Sequence, residues 1–181
     1  MDQVALAIAI AGAALVLWAL TQCLRRRLNA PAADQIVLKL ARAGNVERIT
    51  KLADAAPNSY LEVYAHAIRA ASRSEVKDPV TIAALTHPAF DHHGAVLEKA
   101  WRALAMTGLA GAALGGAGLY LGYTQHSTPQ HLRAIGGLAA IAGLWFLLHL
   151  SDVTRAVKTG RTEVLPEIDR AFTGVAVESS E

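Results

Sequence analysis

The sequence predicts an all-α integral membrane protein with three transmembrane helices and a helical cytoplasmic loop. Three observations point there. Of 181 residues, 53% are apolar, too many for an ordinary soluble domain of this length. The excess collects in three stretches free of Asp, Glu, Lys and Arg: 4–20, 104–123 and 134–150. Period-two alternation is absent over any useful length, whereas helical stripes and stop signals recur, so no strand is expected. The parts in order are an anchor over 1–24, a helical loop over 25–103, two spans with a short link over 104–150, and a tail over 151–181.

The first apolar run is followed by Arg25, Arg26 and Arg27, with only Asp2 before it. A cleaved signal has the opposite polarity, so an uncleaved anchor with its N-terminus outside is expected. Of the 17 Lys and Arg, 12 lie from Arg25 to Arg102, four lie from Arg155 onward, and Arg133 alone falls between the last two apolar runs. The positive-inside rule then makes loop and tail cytoplasmic, and the N-terminus and the link over 122–133 external. Cys23, the single cysteine, cannot form an internal disulfide and reads as a small apolar residue at a span end. A net charge of +2 without a basic-aromatic pattern gives no reason to expect nucleic-acid binding.

In the loop, Pro31 suits a first turn and Gly44 an end, predicting a helix over 32–43. A second follows Asn45 as cap, with Val46, Ile49, Leu52 and Ala53 on one face, until Pro57-Asn58-Ser59. A third runs from Ser59 to about Ser72 on the stripe Leu61, Tyr64, Ala65, Ile68. Asp78-Pro79 opens a fourth, expected to end near His87-Pro88. From Ala95, Val96, Leu97, Ala100 and Leu104 lead without a breaker into the second span. The third span is expected to continue as helix to Thr159-Gly160, and residues beyond about Phe172 to fray.

The second span is unlike a lipid-soaked anchor. Gly108, Gly111, Gly115, Gly116 and Gly118 forgo side chains where Leu would favour a helix more. In lipid the usual reason is close approach of backbones, so this span reads as an assembly surface, joined by Gly136, Gly137 and Gly143 on the third.

This organisation resembles the MotA/TolQ/ExbB proton-channel family, closest to its TolQ and ExbB branch, over most of the chain. The order of parts matches, and AGNVERITKLADAAPNSYLEVYAHAIRAA looks like the family's Gly-Asp-x-x-x-Ala loop segment. The sharpest piece is Gly108-Leu109-Ala110-Gly111-Ala112-Ala113-Leu114-Gly115, which looks like Gly-Leu-x-Gly-Thr-Val-x-Gly. The resemblance implies a bacterial inner-membrane protein forming a ring of five copies around a dimer of a single-span partner of the ExbD/TolR/MotB kind. The second and third spans would line the cavity, and the proton motive force would drive motor or transport work.

Both hydroxyl positions of the family's lining spans depart from that pattern. One is Ala112; the other, by the likeness of Ala140-Ile141-Ala142-Gly143-Leu144 to Thr-Ala-x-Gly-Leu, is Ala140, and the usual following proline is replaced by His149. A proton needs groups that donate and accept hydrogen bonds, and methyl groups do neither. Candidates for another route are Thr107, Tyr120 and His149, with Thr107 bonding back to the carbonyl four residues earlier, Tyr120 an interfacial anchor and His149 an ordinary interfacial residue as the plainer readings. The alternative function is a non-conducting membrane scaffold derived from that family. His87, Asp91, His92 and His93 read as a polar elbow rather than a metal site, and Glu163, Glu167 and Asp169 as solvated charges. No nucleotide loop, nucleophile elbow or catalytic dyad is present, so neither an enzyme nor a cofactor is expected.

Overall fold

A computed structural model describes residues 2–26, 30–57, 59–124 and 130–174. Seven α-helices and one π-helical segment account for almost all of them, and no strand occurs among the described residues. The helices are α1 (Asp2–Arg26), α2 (Ala30–Arg42), α3 (Val46–Ala55), α4 (Tyr60–Ser72), α5 (Pro79–Thr124), α6 (Gln130–Thr159) and α7 (Leu165–Thr173), with the π segment Gly160–Val164 before α7. Two compact units result: residues 1–25 with 99–152, and residues 26–98 with 153–181.

Two helices, α1 and α5, are long and apolar enough to cross a membrane over Gln3–Leu24 and Pro79–Tyr123, the part of α5 before Lys99 belonging to the second unit. A helix rises about 1.5 Å per residue, so each exceeds the roughly 30 Å of a hydrocarbon core. Large apolar side chains on these helices face outward, among them Val4, Ile10, Leu17, Trp18, Met106 and Leu114.

The second unit has a conventional core of Val37, Ile49, Leu61, Tyr64, Ile68, Phe90, Val164, Leu165 and Ile168. The stripes expected for α3 and α4 are the faces that are buried: Ile49 and Ala53, then Leu61, Tyr64, Ala65 and Ile68. Gly44 ends α2 in the left-handed region (φ 69°). Its N–H donates to Ala41 O and that of Asn45 to Leu40 O, satisfying last-turn carbonyls in a way only glycine allows without strain. Asp78 caps α5, its Oδ1 accepting from the N–H groups of Val80 and Thr81 at 3.0 Å each. Asn45 and Ser59 precede α3 and α4 without a side-chain cap bond.

Two expectations are corrected. The helix opening at Pro79 does not stop at His87-Pro88; it runs 46 residues with Pro88 inside it. Proline removes one backbone bond and crowds the preceding turn, but Thr86 and Phe90 on either side are fully buried and hold the helix through it. The residues read as an elbow are therefore mid-helix. The tail, likewise, does not stop at Gly160, where the backbone widens into a π turn and continues as α7.

Candidate functional site

Four of the glycines singled out in α5, Gly108, Gly111, Gly115 and Gly118, have partners inside their own chain. A Cβ built on Gly111 would stand 2.8 Å from Gly12 O and 3.0 Å from Val16 Cγ2, both on α1. One on Gly118 would stand 2.8 Å from Ala9 N. Against α6, a Cβ on Gly115 would come 2.9 Å from Ala139 Cβ, one on Gly143 would come 2.8 Å from Ala112 Cβ, and one on Gly108 would collide with the Phe146 ring. Bare backbone thus seats α1 and α6 on α5 within one molecule, the small-residue packing that membrane helices use. That differs from a surface reserved wholly for other subunits. Gly116 is the exception, with nothing within 4 Å of its added Cβ, as is Gly137 on α6.

Of the candidate lining residues, Thr107, Ala112 and Tyr120 are described. Thr107 Oγ1 donates to Ala103 O at 3.0 Å, the bond back to its own helix that satisfies a hydroxyl in an apolar setting. Ala112 packs toward Gly143, and Tyr120 is 69% exposed. The surroundings of Gly136 and the side chains of Ala140 and His149 lie outside what is described, as does the link 125–129.

The second unit holds a polar cluster that the sequence reading missed. Tyr64 Oη and Asp34 Oδ1 are 2.6 Å apart, Tyr60 Oη donates to Ala156 O at 2.7 Å, and the two tyrosine oxygens are 2.8 Å apart. Asp34 is 8% exposed, Tyr60 5% and Tyr64 fully buried. Burial pushes the Asp34 carboxyl above its ordinary range, against the lowering effect of the tyrosine hydrogen bonds, and drives both phenols far above theirs. The cluster needs Gly160 beside it, because a Cβ there would collide with both tyrosine oxygens. The signal available was Asp34 next to an apolar face; Tyr64 looked like one more member of a greasy stripe.

Polar residues expected to be solvated or clustered are separated by tertiary partners. Asp169 accepts from Thr86 Oγ1 at 2.6 Å and meets His87 Nε2 at 3.1 Å. Glu167, mostly buried, pairs with Arg170 at 3.0 Å and Arg42 at 3.6 Å, while Glu163 is exposed. Asp91 pairs with Arg161 at 2.9 Å. His93 stacks on His66 with ring centres 3.4 Å apart, and burial followed by the neighbouring His66 and His92 holds its imidazole below the ordinary range. No group of three or more metal-ligating side chains is assembled among the described residues.

Comparison with known protein families, with curated proteins and with solved structures finds no match to this chain.

Proposed function

We propose that this chain is a three-span, ring-forming subunit of a bacterial inner-membrane complex of the MotA/TolQ/ExbB type, working with a single-span partner. One observation carries the reading. The segment before the central apolar stretch and the segment after it fold on each other: Tyr60 bonds Ala156, Thr86 bonds Asp169, and Arg42 pairs with Glu167. This supports a reading in which residues 99–152 leave the membrane on the side where they entered it. Two crossings by α5 and α6 meet that demand, and α1 adds the third. The clustering of Lys and Arg in loop and tail supports a cytoplasmic side for both by the positive-inside rule.

Thiol labelling tests this topology. In a Cys23→Ser background, single cysteines at Ser74 and Thr173 should be shielded from a membrane-impermeant maleimide in intact cells, and cysteines at Gln3 and Ser127 should react. Opposite accessibility for Ser74 and Thr173 would overturn the double crossing.

A second reading, the non-conducting scaffold, draws support from the commitment of Thr107 to Ala103 O and of Ala112 to the α6 contact. Neither offers a free hydroxyl to a proton route. Proton flux into vesicles holding the purified complex separates the two: flux supports energy coupling, and tight vesicles support the scaffold.

A further inference from the structure

We infer that Asp34 is a proton-binding site: its carboxyl carries a proton in the folded protein, and that proton completes a hydrogen-bond chain fastening α2, α4 and α6 in the loop and tail unit. The reasoning is a count of hydrogens. Three oxygen–oxygen contacts lie in series, Asp34 Oδ1 to Tyr64 Oη at 2.6 Å, Tyr64 Oη to Tyr60 Oη at 2.8 Å, and Tyr60 Oη to Ala156 O at 2.7 Å. Each is at the length of an O–H···O bond and requires one hydrogen. Two phenols supply two, and Ala156 O supplies none.

With Asp34 ionised, one of the three contacts must set two lone pairs against each other inside the core. With Asp34 protonated the chain closes in one direction. Its O–H donates to Tyr64 Oη, Tyr64 donates to Tyr60 Oη, and Tyr60 donates to Ala156 O. Each of the three contacts then holds one hydrogen, as buried polar groups require.

The surroundings agree. Around the carboxyl are Tyr60 and Tyr64 of α4, the Ala156 carbonyl of α6 beyond them, and Glu163 of the π segment, whose negative charge further disfavours ionisation. No cation pairs with Asp34 among the described residues. Phe90 of α5 lies against Tyr64 with ring centres 5.4 Å apart, closing an apolar side.

The sign of the pH dependence follows. A folded-state affinity for the proton above that of the unfolded chain stabilises the fold fully below the ordinary carboxylate value of 3.8 and loses that stabilisation as pH rises through the raised value. The site therefore loosens the packing of α2 on α4 as pH rises through that raised value.

Asn at position 34 reproduces the protonated form, since its amide donates to Tyr64 Oη while its carbonyl accepts. The test compares purified full-length wild type with Asp34→Asn over a pH range that starts at the ordinary carboxylate value of 3.8 and extends upward through neutrality, reading α2 and α4 amide exchange and the infrared band of a protonated carboxyl. Wild type should show that band at low pH, lose it as pH rises, and exchange roughly tenfold faster where it is lost, after correction for intrinsic rates. Asp34→Asn should lack the band and keep slow exchange throughout. Asp34→Ser, which removes the carboxyl and the reach, should exchange fast at every pH. A wild type with no protonated-carboxyl band at any pH tested, or an Asn variant that loosens as wild type does, would overturn the assignment.

Discussion

Replacing Gly111 by leucine is expected to unseat α1 from α5 and leave a chain that extracts from the membrane misfolded. The contact is backbone on backbone from both sides: a Cβ on Gly111 would lie 2.8 Å from Gly12 O, and a Cβ on Gly12 would lie 2.6 Å from Gly111 O. A flexible side chain could turn away, but a helix backbone cannot. Overpacking a tight core costs about 1–3 kcal/mol for added methylenes, and a whole isobutyl group between two backbones should exceed that range. The loss would be read as a lowered unfolding midpoint in detergent, followed by the fluorescence of Trp18, Trp101 and Trp145. The control is on the same helix. Leucine at Gly116 meets nothing within 4 Å in its own chain and should leave that midpoint unchanged. Equal midpoints for the two variants would mean that Gly111 is not where these helices touch.

Alanine at Gly160 is expected to have the second large effect, in the other unit. The methyl group would occupy the space of the Tyr60 and Tyr64 hydroxyls and stand 3.2 Å from Phe90 Cζ. Relief requires moving both phenols off Asp34 and Ala156 O or unwinding the π turn. Unsatisfied buried groups cost about 1–3 kcal/mol each, so a loss on the order of 3 kcal/mol is expected in denaturant unfolding. Combining Gly160→Ala with Tyr60→Phe should recover part of it, because the second change removes one colliding oxygen. A double variant as unstable as the two single losses added together would show that the tyrosine and the glycine do not share this space.

Much of the fold was legible because its cause was local. Gly44 and Asp78-Pro79 mark helix ends through their own backbone preferences, and the Ile49/Ala53 and Leu61/Tyr64/Ile68 stripes follow from helical spacing. The long apolar helix over Gln3–Leu24 and, within α5, the apolar stretch after Leu104 were legible from length and apolarity. What the sequence hid depends on partners distant along the chain. Pro88 signals a stop, yet Phe90 is held by the core, and Asp169, 83 residues beyond Thr86, anchors that turn. The glycines of α5 announce close packing, but only the fold shows that Gly111 meets Gly12 and Gly108 meets Phe146. Tyr64 has the spacing of a core residue, and nothing local distinguishes a tyrosine that buries a ring from one that also completes a hydrogen-bond chain.

Since most of those glycines are occupied within the chain, a ring of the kind proposed above would have to use other surfaces, such as the outward apolar side chains of α1 and α5. Exposed apolar area of that extent needs lipid or another subunit. The native mass of the detergent-purified protein tests the ring-forming role most directly. Five copies in a closed assembly are expected, and a chain that remains solitary under mild extraction would contradict it.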